Sequence, residues 1–121
     1  MYNILLLDDE TFVQDLFSQF LTNEGYNVEC VSNGREGLKK LREFDADLVI
    51  TDIMMPEMDG LEVVREIRKK RVDLPVIAIS GGMRNAAINF VSTAKEFGAD
   101  AIFEKPVSLS DLLASVKNLI G

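Results

Sequence analysis

The chain has 121 residues, with 13 basic against 20 acidic side chains and a formal net charge of −7. That length fits one domain, 1–121, able to bury roughly two-thirds of the surface its unfolded chain exposes. The acidic balance disfavours direct nucleic-acid binding, no apolar run nears the ~18 residues of a membrane span, and a single cysteine, Cys30, excludes an internal disulfide. The N-terminus carries no basic segment, so no signal peptide is expected. This cysteine usage fits a reducing compartment such as the cytoplasm. Cys30 lies in an apolar stretch and is expected to pack as a small hydrophobe.

Ile4-Leu5-Leu6-Leu7 reads as a first strand that runs into Asp8-Asp9. Phe12, Val13, Leu16, Phe17, Phe20 and Leu21 then recur as the stripe of a first helix, with Gly25 suited to a left-handed cap. Tyr26, Val28 and Cys30 alternate with polar residues as a second strand, and Asn33 is placed to cap a helix that turns Leu38 and Leu41 inward. Leu48-Val49-Ile50-Thr51 runs into Asp52, and a loop punctuated by Pro56 and Asp59-Gly60 follows. Leu61, Val64 and Ile67 stripe the third helix. Pro75 opens a strand, Val76 to Ile79, that runs into Ser80. A fourth helix is expected on Ala87, Phe90, Val91, Ala94 and Phe97, closed by Gly98. Ala101-Ile102-Phe103-Glu104 runs into Lys105-Pro106, and Leu109 to Ile120 stripe a fifth helix with Ser108 and Asp111 as a capping box.

The order is βαβαβαβαβα. Helices between strands require parallel pairing with right-handed crossovers, and the nearly all-apolar central runs suit strands covered on both faces. The expected fold is a doubly wound α/β sheet of five parallel strands and five helices. Ligands of such sheets sit outside the carboxyl ends of the strands, where strand order reverses. The polar endings of four strands fall there.

Each ending has a bland explanation. Asp8 or Asp9 could cap the first helix, Asp52 and Ser80 could serve turns, and Lys105 could be a solvated lysine. Together they suggest a site for a divalent cation and a phosphoryl group. Two carboxylates ~5 Å apart at an effective dielectric of ~20 repel by about 3 kcal/mol, and Mg²⁺, which prefers oxygen ligands, offsets that. A carboxylate beside a metal can act as nucleophile toward phosphorus, a lysine can neutralise the charge and a hydroxyl can donate to it.

Asp8-Asp9, the stretch Asp52-Ile53-Met54-Met55-Pro56-Glu57-Met58-Asp59-Gly60, Ser80, Gly98-Ala99-Asp100 and Lys105-Pro106 together resemble the receiver domain of two-component response regulators. The resemblance covers 1–121. It implies a flavodoxin-like, CheY-like sheet of order 2-1-3-4-5, with Asp52 as phosphoacceptor and Ser80 and Lys105 contacting the phosphoryl group. It implies Mg²⁺ held by Asp9, Asp52 and the backbone carbonyl of Met54, with Asp8 assisting, and a cis Lys105–Pro106 peptide. The implied partners are a histidine kinase or histidine phosphotransfer protein and a downstream protein target. Residues 1–121 leave no segment for an output domain, so output through another protein is expected. Catalysis would be limited to the domain's own aspartate. The alternative is a phosphate-independent pseudo-receiver, against which the intact Asp9, Asp52 and Lys105 argue.

Two positions depart from the family pattern. Ile102 stands where many receivers have Tyr or Phe, and Phe103 alternates to the opposite face. Ser80-Gly81-Gly82-Met83-Arg84-Asn85 lengthens the Ser80–Lys105 spacing, so phosphorylation is expected to reorder residues 81–88. Gly82 and Met54 offer no group to position attacking water, so slow self-dephosphorylation is expected. A haloacid-dehalogenase-type phosphatase needs an acid two residues after its nucleophile, where this chain has Met54. The chain also lacks a P-loop, a dinucleotide-binding glycine motif and any histidine.

Overall fold

The computed structural model describes residues 1–53, 60–71, 73–80 and 98–121. They form β1 (Asn3–Leu7), α1 (Thr11–Asn23), β2 (Asn27–Val31), α2 (Gly34–Leu41), β3 (Leu48–Asp52), α3 (Gly60–Lys70), β4 (Val76–Ser80), β5 (Ala101–Glu104) and α4 (Leu109–Ile120). All strands pair in parallel, in the order β2-β1-β3-β4-β5. This is the expected flavodoxin-like sheet. The helix expected on Ala87 to Phe97 lies outside the described residues.

Strand alternation divides the core between the two faces. Ile4, Leu6, Ile50, Ile77 and Ile79 pack with Phe17 and Leu21 of α1 and Leu112 and Val116 of α4. Leu5, Leu7, Val49 and Val76 pack with Val63, Val64 and Ile67 of α3, with Leu38 and Leu41 of α2 beside them. The expected caps form: Asn33 Oδ1 accepts from Glu36 N at 2.8 Å, and Ser108 Oγ accepts from Asp111 N at 3.3 Å. Gly25 follows α1 at φ 99°.

Two expectations about burial fail. Cys30 is exposed rather than packed. Alternation puts it on the α1 side, where it meets Ser18, but β2 is the sheet edge, and the cover there is only partial. Phe12 and Leu16 are also exposed, at 75% and 41%. The apolar stripe of α1 is wider than the face the sheet covers.

Arg68 ties α3 to the segment entering β5. Its guanidinium donates to Gly98 O at 2.9 Å, to Leu74 O, and to Asp100 Oδ2 at 2.7 Å. Asp100 Oδ2 also accepts from Val76 N at 2.8 Å, at the start of β4. Gly98 has φ 110°, and a Cβ there would lie 2.8 Å from Arg68 Cγ. Both features favour glycine.

Candidate functional site

Register and alternation decide which strand endings meet. Leu6, Ile50 and Phe103 all belong to the core beneath α1 and α4. Two residues further along each strand, on the same face, stand Asp8, Asp52 and Lys105. Where β1 and β3 lie side by side the strand order reverses, so Asp8 and Asp52 are neighbours. The Lys105 backbone is held beside β4 by its N–H, which donates to Ser80 O at 2.8 Å. The Lys105–Pro106 peptide is cis, as the family resemblance implied.

The Lys105 ammonium donates to Asp52 Oδ2 at 3.1 Å and to Glu10 Oε1 at 3.2 Å, and pairs with Asp8 Oδ2 at 3.5 Å. Asp8 and Asp52 are 1% and 3% exposed, so these are pairs at the edge of the interior rather than surface bridges. Burial alone would lower the lysine pKa. The hydrogen bond and charge of Asp52, with Asp8 and Glu10 behind them, overturn that and hold it above the ordinary lysine value. Lys105 therefore stays a cation throughout the physiological range.

Asp8 is also a local turn residue. Its Oδ1 accepts from Glu10 N at 2.8 Å, while Oδ2 faces Lys105. The structural and electrostatic roles of this carboxylate thus fall on different oxygens. Burial raises its pKa, against the opposing effects of the Glu10 N–H and Lys105. Gln14 of α1 fixes the same corner, because its amide donates to Asp8 O and to Ser32 Oγ.

Asp8, Asp9, Glu10 and Asp52 each offer a carboxylate oxygen, and these oxygens lie within 4.8 Å of one another. Among the described residues, these four carboxylates stand around one ammonium. The three aspartates of this group are oxygen donors of the kind a hard divalent cation takes, and such a cation offsets their repulsion, while the Glu10 carboxylate is engaged by Lys105. Ser80 is 1% exposed, and its Oγ is buried with no hydrogen-bond partner among the described residues. An orphaned buried hydroxyl costs stability unless something binds it, so it too fits an anionic ligand.

The structure thus gathers Asp8, Asp9, Asp52 and Lys105 and sets Ser80 on the neighbouring strand end. Met54 and the loop 81–88 lie outside the described residues. Ile102 packs with Ala78 and Ile53 on the face opposite Phe103, which joins the α1 and α4 core. Phe103 therefore does not stand in for an aromatic side chain on the Ile102 face. Sequence reasoning missed Glu10 as a partner of Lys105 and Gln14 as a brace. It also missed why Gly60 must be glycine: a Cβ there would lie 2.3 Å from Asp52 O and 2.6 Å from Ile53 Cα. The Asp-Gly signal was legible, but the close approach was not.

Comparison with known proteins gives the family of the chain. The family model of the response regulator receiver domain matches residues 4–117. The response regulator MprA of Mycolicibacterium vanbaalenii is 36% identical over 117 residues, covering 97% of this chain and 49% of that protein. The chain thus spans about half the length of that curated relative. A CheY-like receiver domain protein from Methanospirillum hungatei superposes with a TM-score of 0.89 at 33% identity, over 98% of this chain and 92% of that one. The response regulator TrrA of Thermotoga maritima, solved in complex with Mg²⁺-BeF, superposes with a TM-score of 0.86 at 38% identity, over 99% and 100% of the two chains. With the strand order, the gathered strand endings and a family match over nearly its whole length, the chain belongs to the receiver domains of two-component response regulators.

Proposed function

We propose that residues 1–121 act as one receiver domain that takes a phosphoryl group onto Asp52 from a histidine kinase or a histidine phosphotransfer protein. The observation that carries this reading is the Lys105 ammonium donating to a nearly buried Asp52 inside a surplus of carboxylates. A simple ion pair would not need three further acids.

Asp8, Asp9, Asp52 and the Met54 carbonyl would hold Mg²⁺, which supplies charge neutralisation at the transferring group. An Asp52 oxygen forms the bond to phosphorus while the donor's bond to phosphorus breaks and its leaving atom keeps the electron pair. With acetyl phosphate the products are the aspartyl phosphate and acetate, and no proton moves. Lys105 neutralises a phosphoryl oxygen as a fixed cation, and the Ser80 hydroxyl donates to another. The domain acts on its own aspartate and no other substrate.

Phe12 and Leu16, exposed one turn apart on the helix that starts at the site, offer an apolar platform for a phosphodonor protein. Output passes through contact with a downstream protein. None of the described helices is long and apolar enough to cross a membrane. The reading includes a cytoplasmic location, in keeping with a chain that can form no internal disulfide.

The test is a titration with beryllofluoride, a phosphoryl mimic, together with incubation in acetyl phosphate and intact-mass measurement. Beryllofluoride should bind only with Mg²⁺ present, and the chain should gain the mass of one phosphoryl group, lost in Asp52→Asn. No coupled binding and no mass gain would favour the pseudo-receiver instead.

A further inference from the structure

We infer that Glu10 is a positioning residue for phosphoryl transfer, acting through Lys105; this rests on the receiver reading above. Glu10 occupies the N-cap of α1, a place that favours Ser, Thr, Asp or Asn because their short side chains bond the first free N–H groups. Its side chain makes no such bond. It reaches instead to a residue 95 positions away, with Oε1 accepting from Lys105 Nζ at 3.2 Å. The helix gains nothing by capping from this glutamate, so its side chain serves the lysine.

The geometry shows what that service is. An ammonium has three N–H donors. Lys105 has three carboxylate oxygens within 3.5 Å, one each from Asp8, Glu10 and Asp52. Asp8 and Asp52 are buried, whereas the Glu10 side chain is 59% exposed and sits on the solvent side. Glu10 therefore gives the ammonium a partner on the solvent side, at 3.2 Å, that competes with the two buried carboxylates at 3.1 and 3.5 Å. An arriving phosphoryl oxygen meets the cation at the mouth of the site. With Glu10 removed, the flexible lysine loses its outer partner and is left to Asp8 and Asp52 alone, so its existing hold on Asp52 Oδ2, at 3.1 Å, tightens on an oxygen that must be free to attack phosphorus.

Removing Glu10 also removes one negative charge near an anionic donor, which favours donor binding. The two effects separate kinetically. At saturating Mg²⁺, with acetyl phosphate as donor and intact mass as readout, Glu10→Ala should lower kcat about two- to fivefold, the range an exposed ion pair supports. KM for acetyl phosphate should not rise. In a Lys105→Ala background the same substitution should leave kcat unchanged, because the residue through which Glu10 acts is gone. A kcat equal to wild type in Glu10→Ala, a raised KM, or a loss that persists in the Lys105→Ala background would overturn the inference. A wild-type chain that takes no phosphoryl group overturns the receiver reading and this inference together. A wild type that is phosphorylated normally beside an unaffected variant overturns this inference alone.

Discussion

At the scale of single residues the site is under electrostatic strain, and Asp8 shows it most plainly. Burial holds its carboxyl above the ordinary value of 3.8. A carboxyl whose folded pKa is raised binds its proton more tightly in the folded state. Its contribution is therefore present at low pH, is lost as pH rises from 3.8 through the raised value, and becomes a standing cost at neutral pH. Asp8→Asn keeps an oxygen to accept from Glu10 N and removes the buried charge. In a metal-free buffer at pH 7 it should melt higher than wild type, with the gap closing as pH falls toward 3.8. A variant that melts lower than wild type at pH 7 would show that the Lys105 pairing outweighs the burial of Asp8. The strand-end acids and Lys105 were legible because each interrupts an apolar run abruptly. Glu10 was not, because its partner lies far along the chain and an acid near a helix start is locally unremarkable. Alternation gave the face of Cys30 but not its exposure, since nothing local to a strand says that it forms a sheet edge.

Secondary-structure elements carry the site through close approaches rather than through their own propensities. Gly60 opens α3 with its N–H donating to Ile53 O at 2.8 Å, directly after the Asp52 strand end. Replacing glycine by alanine inside a helix usually gains about 1 kcal/mol. At Gly60 the new Cβ would meet backbone at 2.3 Å, and overpacking against atoms that cannot rotate away costs about 1–3 kcal/mol or more. Gly60→Ala should therefore destabilise the domain. Gly37→Ala is the useful contrast, because its Cβ would meet the Leu7 side chain, whose terminal atoms can turn. A denaturant titration should place Gly37→Ala above Gly60→Ala in midpoint, and the reverse order would remove the steric account of Gly60. The Arg68 clamp makes a second prediction at this scale. Arg68→Ala strips the charge-assisted bonds to Gly98, Leu74 and Asp100, and at about 1–2 kcal/mol net should lower the midpoint without touching the carboxylate site. Gly98-Ala99-Asp100 was legible as a family signature. Its physical reason, a glycine making room for an arginine from a different helix, required the fold.

For the whole molecule, the same strain couples metal binding to stability. The chain carries a net charge of −7, and among the described residues four carboxylates crowd one sheet edge around Lys105. A cation that binds this edge in the folded state, and finds no such cluster in the unfolded chain, must raise stability by mass action. At a hundredfold excess over its dissociation constant the gain is about 2.7 kcal/mol, or on the order of 10 °C for a domain of this length. Screening alone also helps an acidic protein, so the control is sodium chloride at matched ionic strength, which weakens repulsion without occupying the edge. Thermal melts should show Mg²⁺ raising the midpoint well beyond the sodium control, with EDTA reversing it. Asp9→Asn and Asp52→Asn should each reduce that difference. So should Asp8→Asn, although it starts from a higher metal-free midpoint, since the substitution relieves the repulsion that the ion would otherwise offset. Equal responses to Mg²⁺ and to matched sodium chloride would mean that the four carboxylates act only as a diffuse charge, and the cation site would have to be abandoned.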